Sequence, residues 1–322
     1  MNEEYPQGIP PEDVQFFPPL ARMTFIERYN ISPVLFAFIA LVFVFILYQV
    51  VGGLLTLLLF GLKPLQSQAL GFRIATGVGQ IIFIFVPTLL LVRFVSFDPA
   101  EYLRLKFPDV RLFFLAIIGI FSLQQVLQVF MVVQDKIPLP HALEKFIEPL
   151  KKMIEEMYQM LVNSTTVPEL LLVLFIVAFI PAIAEEFLFR GLVQGCFERA
   201  FGSWKGVFVT GVIFGAYHLN PFSFIPLAAL GIYLGFLAMQ AGSIWVSIIA
   251  HFFNNAVACL AVYYHLDEDA IVTGSPTSMS TVELLLTAVI SGVIFIVSTY
   301  YIMKLTRKTP PEAISFPPPT GA

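Results

Sequence analysis

The sequence predicts an all-α fold: a polytopic membrane bundle of about eight transmembrane helices with one amphipathic interfacial helix. Three observations carry that prediction. Of 322 residues, 58% are hydrophobic and only 12% are charged, against roughly half and roughly a quarter in a soluble domain. Mean hydropathy is +0.84. Charge is missing over long stretches, with none between Arg28 and Lys63 and no Asp, Glu, Lys or Arg between Lys205 and Asp267. So few charges cannot cover a soluble body of this size, which excludes an ordinary soluble globule, a disordered chain and a nucleic-acid binder. The 34 Phe residues suit a surface facing lipid.

Each element follows in order. Residues 1–30 form a polar N-terminal segment, acidic and proline-rich, without the basic-then-apolar pattern of a cleaved signal peptide. The integral membrane domain is expected over 31–306. The stretches Pro33–Phe60, Ile74–Val92 and Leu112–Val133 are each about the 20 apolar residues that a bilayer requires, or longer. A fourth span begins near Val167 and continues as helix past Glu185 and Glu186 to about Ala200. The uncharged stretch that follows is too long for one helix. Breaks at Asn220-Pro221 and at Gln240 to Ser243 divide it into 203–218, 223–240 and 243–264. Val282–Met303 is the eighth span. Between spans three and four, Leu143, Phe146, Ile147, Leu150, Ile154, Met157 and Leu161 recur at helical spacing opposite a charged face. That pattern predicts a helix lying in the membrane interface, bent at Pro149. Residues 307–322 read as a disordered tail.

Lys and Arg set the orientation. The 2–3 loop holds Arg93, Arg104, Lys106 and Arg111, whereas the 7–8 loop holds no basic residue and carries Asp267, Glu268 and Asp269. With eight spans, both termini are expected in the cytoplasm, as in a protein of the bacterial cytoplasmic membrane. Lys136, Lys145, Lys151 and Lys152 in the 3–4 loop oppose that assignment. Cys196 and Cys259 are expected as buried small apolar residues, without a disulfide.

Ionisable groups inside spans are costly, roughly 2.5–3.5 kcal/mol on insertion scales, and need a reason. Here they are Glu185, Glu186 and Arg190 in span four, His218 at the end of span five and His251 in span seven, joined by Asn255. Glu186 and Arg190 are spaced i, i+4 and are expected to pair. Glu185 points about 100° away, with no partner on its own helix. His251 and Asn255 are also i, i+4 and face one direction. At 1.5 Å per residue, Glu185 and His218 lie about 22 Å from the cytoplasmic ends, His251 about 12 Å and Asn255 about 18 Å, so four polar groups can meet inside the membrane. A carboxylate beside an imidazole can take a proton from water, and a second His with an amide can donate to an oxyanion. Glu185, His218 and His251 could instead hold Zn²⁺ with one open position. HExxH, GxSxG and SxxK motifs are missing.

Three motifs carry this set in order: EEFLFR at 185–190, FGAYH at 214–218 and HFFNN at 251–255. Together they resemble EExxxR, FxxxH and HxxxN of the CAAX-protease and bacteriocin-processing family of intramembrane proteases, also called Abi, over a core of about 167–265. The resemblance implies an endopeptidase acting on a peptide or a membrane-protein terminus within the lipid bilayer. It implies that Glu185 activates water, His218 orients that water, and His251 and Asn255 bind the oxyanion. Glu186 and Arg190 would hold the helix, and Phe214 would pack beside the site. Zinc and metal-free mechanisms both remain open, and Asn255 in the set favours the metal-free one. Two other readings stand beside the protease: a catalytically silent member acting in bacteriocin self-immunity or as a scaffold, and a proton-coupled transporter.

Overall fold

A computed structural model describes residues 23–61, 65–137, 141–265 and 280–307, and within these no side-chain statement is made for 141–144 or 146. Most of the N-terminal segment, the tail beyond Arg307 and the acidic 7–8 loop therefore lie outside the described residues. What is described is helical throughout, with no strand among the described residues.

Besides the one-turn helices Phe25–Arg28 and Pro99–Tyr102, the long helices begin with α1 Pro33–Phe60, α2 Gln66–Val95 and α3 Val110–Asp135. The helix α4 His141–Val162 follows. Then come α5 Val167–Phe201, α6 Ser203–Tyr217, and α7 Phe224–Ala241, α8 Ile244–Tyr263 and α9 Thr281–Thr306. Among the described residues seven of these are long and apolar enough to cross a membrane. The expected count of eight is not reached on that measure. The fifth span is a helix of 15 residues, about 22 Å long where a hydrocarbon core is about 30 Å.

Start and stop signals explain the boundaries. Ser32 caps α1, its Oγ accepting from Leu35 N with Pro33 in the first turn. Ser243 caps α8, accepting from Trp245 N. Gly202, at φ 83°, turns the chain between α5 and α6, and Gly242, at φ 57°, does so between α7 and α8. The Asn220-Pro221 break is a turn in which Asn220 Oδ1 accepts from Phe222 N and Ser223 N.

α6 and α7 pack at backbone distance. A Cβ on Gly211 would stand 2.5 Å from Ile232 N, and one on Gly215 would stand 2.8 Å from Ala228 N. Small residues permit this approach, and helix association in lipid depends on it. Two polar bonds tie α5 to the same helix: Arg190 Nη2 donates to Gly231 O at 3.0 Å, and Gln194 Nε2 donates to Gly235 O at 3.1 Å. One buried cluster joins α1, α2, α5, α6 and α8 through Phe36, Val92, Leu188, Phe189, Phe214 and Ile244. A second joins α3, α7, α8 and α9.

α4 is helical with Pro149 inside it, as the periodicity predicts. Its apolar residues Leu150, Met153 and Met157 stay exposed, the disposition of a helix lying at a lipid interface. Its C-terminal end is fixed to α2 by Arg73, whose Nε donates to Met160 O at 3.1 Å and whose Nη2 donates to Asn163 O. A cation at a helix C-terminus satisfies free carbonyls and opposes the dipole. Both cysteines are free and buried.

Candidate active site

The site lies where α5, α6 and α8 converge. Helix α5 is continuous, yet its hydrogen bonding switches to π-type over Leu174–Phe179 and again over Phe187–Val193. Pro181 sits between the two. Lacking an N–H, it gives nothing to Val177 O four residues back. The Asn255 side chain does so instead, Nδ2 donating to Val177 O at 3.2 Å. Asn255 Oδ1 accepts from Asn254 Nδ2 at 3.1 Å. Asn255 therefore spends part of its amide on the α5 backbone, an engagement that its i, i+4 relation to His251 does not reveal.

The buried support forms around Glu186, Arg190 and Phe214. Glu186 is 0% exposed and Arg190 1%. Arg190 Nη1 stands 2.6 Å from Glu186 Oε1, the i, i+4 pair expected from spacing. The same oxygen accepts from His251 Nδ1 at 2.9 Å. One buried carboxylate thus holds both a guanidinium and an imidazole from a different helix. The fully buried Phe214 ring packs against all three cationic or aromatic neighbours. Arg190 Cζ lies 4.5 Å from its centroid, and the His218 and His251 rings lie at 4.6 and 6.0 Å. Cation–π attraction gives Arg190 a second reason to stay in place.

Glu185 lies between the two imidazoles. Its Oε2 is 3.8 Å from His218 Nε2 and 4.0 Å from His251 Nε2. The ring orientations follow from the other nitrogens. His218 Nδ1 meets Phe214 O at 2.7 Å. A carbonyl oxygen only accepts, so Nδ1 carries the proton and a neutral ring presents an Nε2 lone pair toward Glu185. His251 Nδ1 meets a carboxylate and is likewise the donor. Separations of 3.8–4.0 Å exceed a hydrogen bond and suit one small bridging group. Glu185 Oε2 is buried and has no hydrogen-bond partner among the described residues. The Glu185 side chain is 15% exposed and that of His218 31%, so the site is open on the His218 side.

Zinc fits this donor set in kind. Two imidazole Nε2 atoms and an orphaned carboxylate oxygen face one another, and Glu186 behind His251 is the outer carboxylate that zinc-bound histidines commonly use. As they stand, the three do not close into a ready ligand group, and no group of three or more His, Cys, Asp or Glu among the described residues does. The expected set of Glu185, His218 and His251 is thus brought together. Glu186, Arg190 and Phe214 stand directly behind it, and Asn255 is bonded to the α5 backbone. The bond from Glu186 to His251 had no sequence signal, since 65 residues separate the partners.

Residues 167–257 match the family described as Rce1-like, type II CAAX prenyl endopeptidase. The uncharacterized protein YpbD of Bacillus subtilis (strain 168) is 30% identical over 112 residues, 33% of this chain and 53% of YpbD. The chain spans about half the length of that curated relative. No solved structure matches the chain.

Proposed function

Because residues 167–257 match the family described as Rce1-like, type II CAAX prenyl endopeptidase, we propose that this chain is an intramembrane endopeptidase. It hydrolyses a peptide bond of a membrane-anchored polypeptide with water activated by Glu185. The observation that carries the reading is the unpartnered Glu185 Oε2 facing two imidazole Nε2 atoms.

In this reading a water sits in the gap between Glu185 and His218. It donates one hydrogen to the carboxylate and one to His218 Nε2, so its oxygen lone pair faces the substrate carbonyl. The oxygen attacks the carbonyl carbon as Glu185 takes a proton. The tetrahedral oxyanion is met by Nε2–H of His251 in its doubly protonated form, whose Nδ1–H remains on Glu186, and by the free N–H of Asn255. Collapse breaks the C–N bond, and the proton held by Glu185 passes to the leaving amine. Cysteine attack has no support here: Cys196 is buried against Tyr102, and Cys259 is buried among Val162 and Val173. Zinc, where bound, would be held by Glu185, His218 and His251 and would polarise the carbonyl and acidify water.

The test is cleavage of a pool of quenched-fluorescence peptides, prenylated and unmodified, by the protein in liposomes. Wild type is expected to cleave part of the pool and Glu185→Gln none of it. Equal cleavage by both, or by neither, overturns the reading.

A further inference from the structure

Two polar side chains outside the matched segment, Gln80 and Tyr48, lie on helices packed toward Glu185, and the mechanism above uses neither. Gln80 of α2 is 8% exposed, and its Oε1 has no hydrogen-bond partner among the described residues. Leaving a buried amide oxygen unpaired is unfavourable, and such a group calls for a ligand or water.

Its position can be traced along the helices. α2 and α5 run parallel, since residues 69–80 pack on 174–186, 81–85 on 180–193 and 86–95 on 187–193. A Cβ on Gly77 would touch Ile176 and Ile180 at 3.3 and 3.2 Å. Gln80 lies three residues further on the same face of α2, level with the turn of α5 that leads to Glu185. Side chains lean toward a helix N-terminus, which brings Glu185 back to that level. Tyr48 of α1 completes the corner. Its ring lies across Gly79, 3.7 Å from a Cβ built there. Its side chain lies beside Gln80 and within electrostatic reach of Glu185. Tyr217, next to His218, lies within reach of both Glu185 and Tyr48. The backbone around Tyr48 is π-helical over Ile46–Gly52, and α2 turns π-helical directly after Gln80, over Ile81–Phe85. Such departures re-aim side chains and recur at functional sites.

We propose that Gln80 is a substrate-binding residue whose free amide oxygen accepts a main-chain N–H beside the scissile bond. The orphaned atom selects for a hydrogen-bond donor, and a polypeptide lying across Glu185 brings a peptide N–H to that corner. The inference rests on the protease reading and adds to it a subsite from α1 and α2.

The test uses the peptide from the pool that wild type cleaves fastest. Ester analogues replace one backbone N–H at a time on either side of the scissile bond. KM, kcat and thermal midpoint are read for wild type, Gln80→Leu, Gln80→Met and Tyr48→Phe. One ester should raise wild-type KM about tenfold, the loss of one hydrogen bond in a closed site. Gln80→Leu or Gln80→Met should raise KM for the all-amide peptide by a similar factor, and that ester should add nothing further. The thermal midpoint of a folded Gln80 variant should stay near wild type, because the amide oxygen has no partner to lose. Independent, multiplying effects of the ester and the Gln80 change overturn the subsite, as does an unchanged KM. Glu185→Gln is the control. If its loss of cleavage holds while Gln80 is indifferent, only the subsite fails. If wild type cleaves no peptide, the protease reading fails and the subsite with it.

Discussion

Glu185 and Glu186 are neighbours in sequence with opposite fates, decided by the 100° between successive side chains on a helix. Glu186 turns inward to Arg190 and His251. Glu185 turns to the cavity and keeps an unpaired oxygen. The two should therefore fail differently. Glu185→Gln should leave the thermal midpoint near wild type and lower kcat at least 100-fold, the size of a lost general base. Glu186→Gln should strand the Arg190 charge in a fully buried position, a loss on the order of 3–5 kcal/mol. A scanning melt in detergent separates them, and a Glu186→Gln protein as heat-resistant as wild type would remove the ion-pair account.

At the scale of helices, the pairing of Asn255 with Val177 explains how α5 tolerates Pro181 in the membrane. The amide supplies the hydrogen that proline lacks. Restoring an N–H with Pro181→Ala should make the amide partly redundant. Asn255→Leu alone should cost about 1–3 kcal/mol. In the Pro181→Ala background the same change should cost less, with a coupling of roughly 0.5–3 kcal/mol in a double-mutant cycle. Strict additivity would show that the bond carries no such role. A separate expectation concerns α6 and α7. Gly211→Val should prevent their contact, because its Cβ would meet Ile232 backbone, and the variant should lose its folded yield in a thermal or size-exclusion assay.

Much of this level is legible in the sequence. The spans emerge from uncharged runs, and the ends of the later ones from the breaks at Asn220-Pro221 and Gln240 to Ser243. EExxxR, FxxxH and HxxxN mark the residues that meet. Other parts are not legible. π-helical turns leave the hydrophobic period nearly unchanged, so Leu174–Phe179 and Phe187–Val193 carry no signal. The bond from Glu186 to His251 and the approach of Gln80 to Glu185 depend on how separate helices rotate against each other. Apolar spans facing lipid on one side and protein on the other give little amphipathic pattern to fix that rotation. Length also misled: α6 completes the site although its 15 residues fall short of a full crossing.

For the molecule as a whole, the matched core supplies α5, α6, α7 and most of α8, while α1 and α2 pack on α5, and α3 with α9 packs on α7 and α8. From the Lys and Arg distribution we propose that the 2–3 loop faces the cytoplasm. A single cysteine at Lys106, in a chain whose two native cysteines are replaced, should react with an impermeant maleimide only after the membrane is opened from the cytoplasmic side. Labelling in intact cells would reverse the orientation. We propose that water activated by Glu185 cleaves the peptide bond, and cleavage in ¹⁸O-enriched water followed by mass spectrometry of the fragments tests this most directly. Wild type should place one ¹⁸O in the new carboxylate and Glu185→Gln should yield no product; labelled product from Glu185→Gln at the wild-type rate would contradict it.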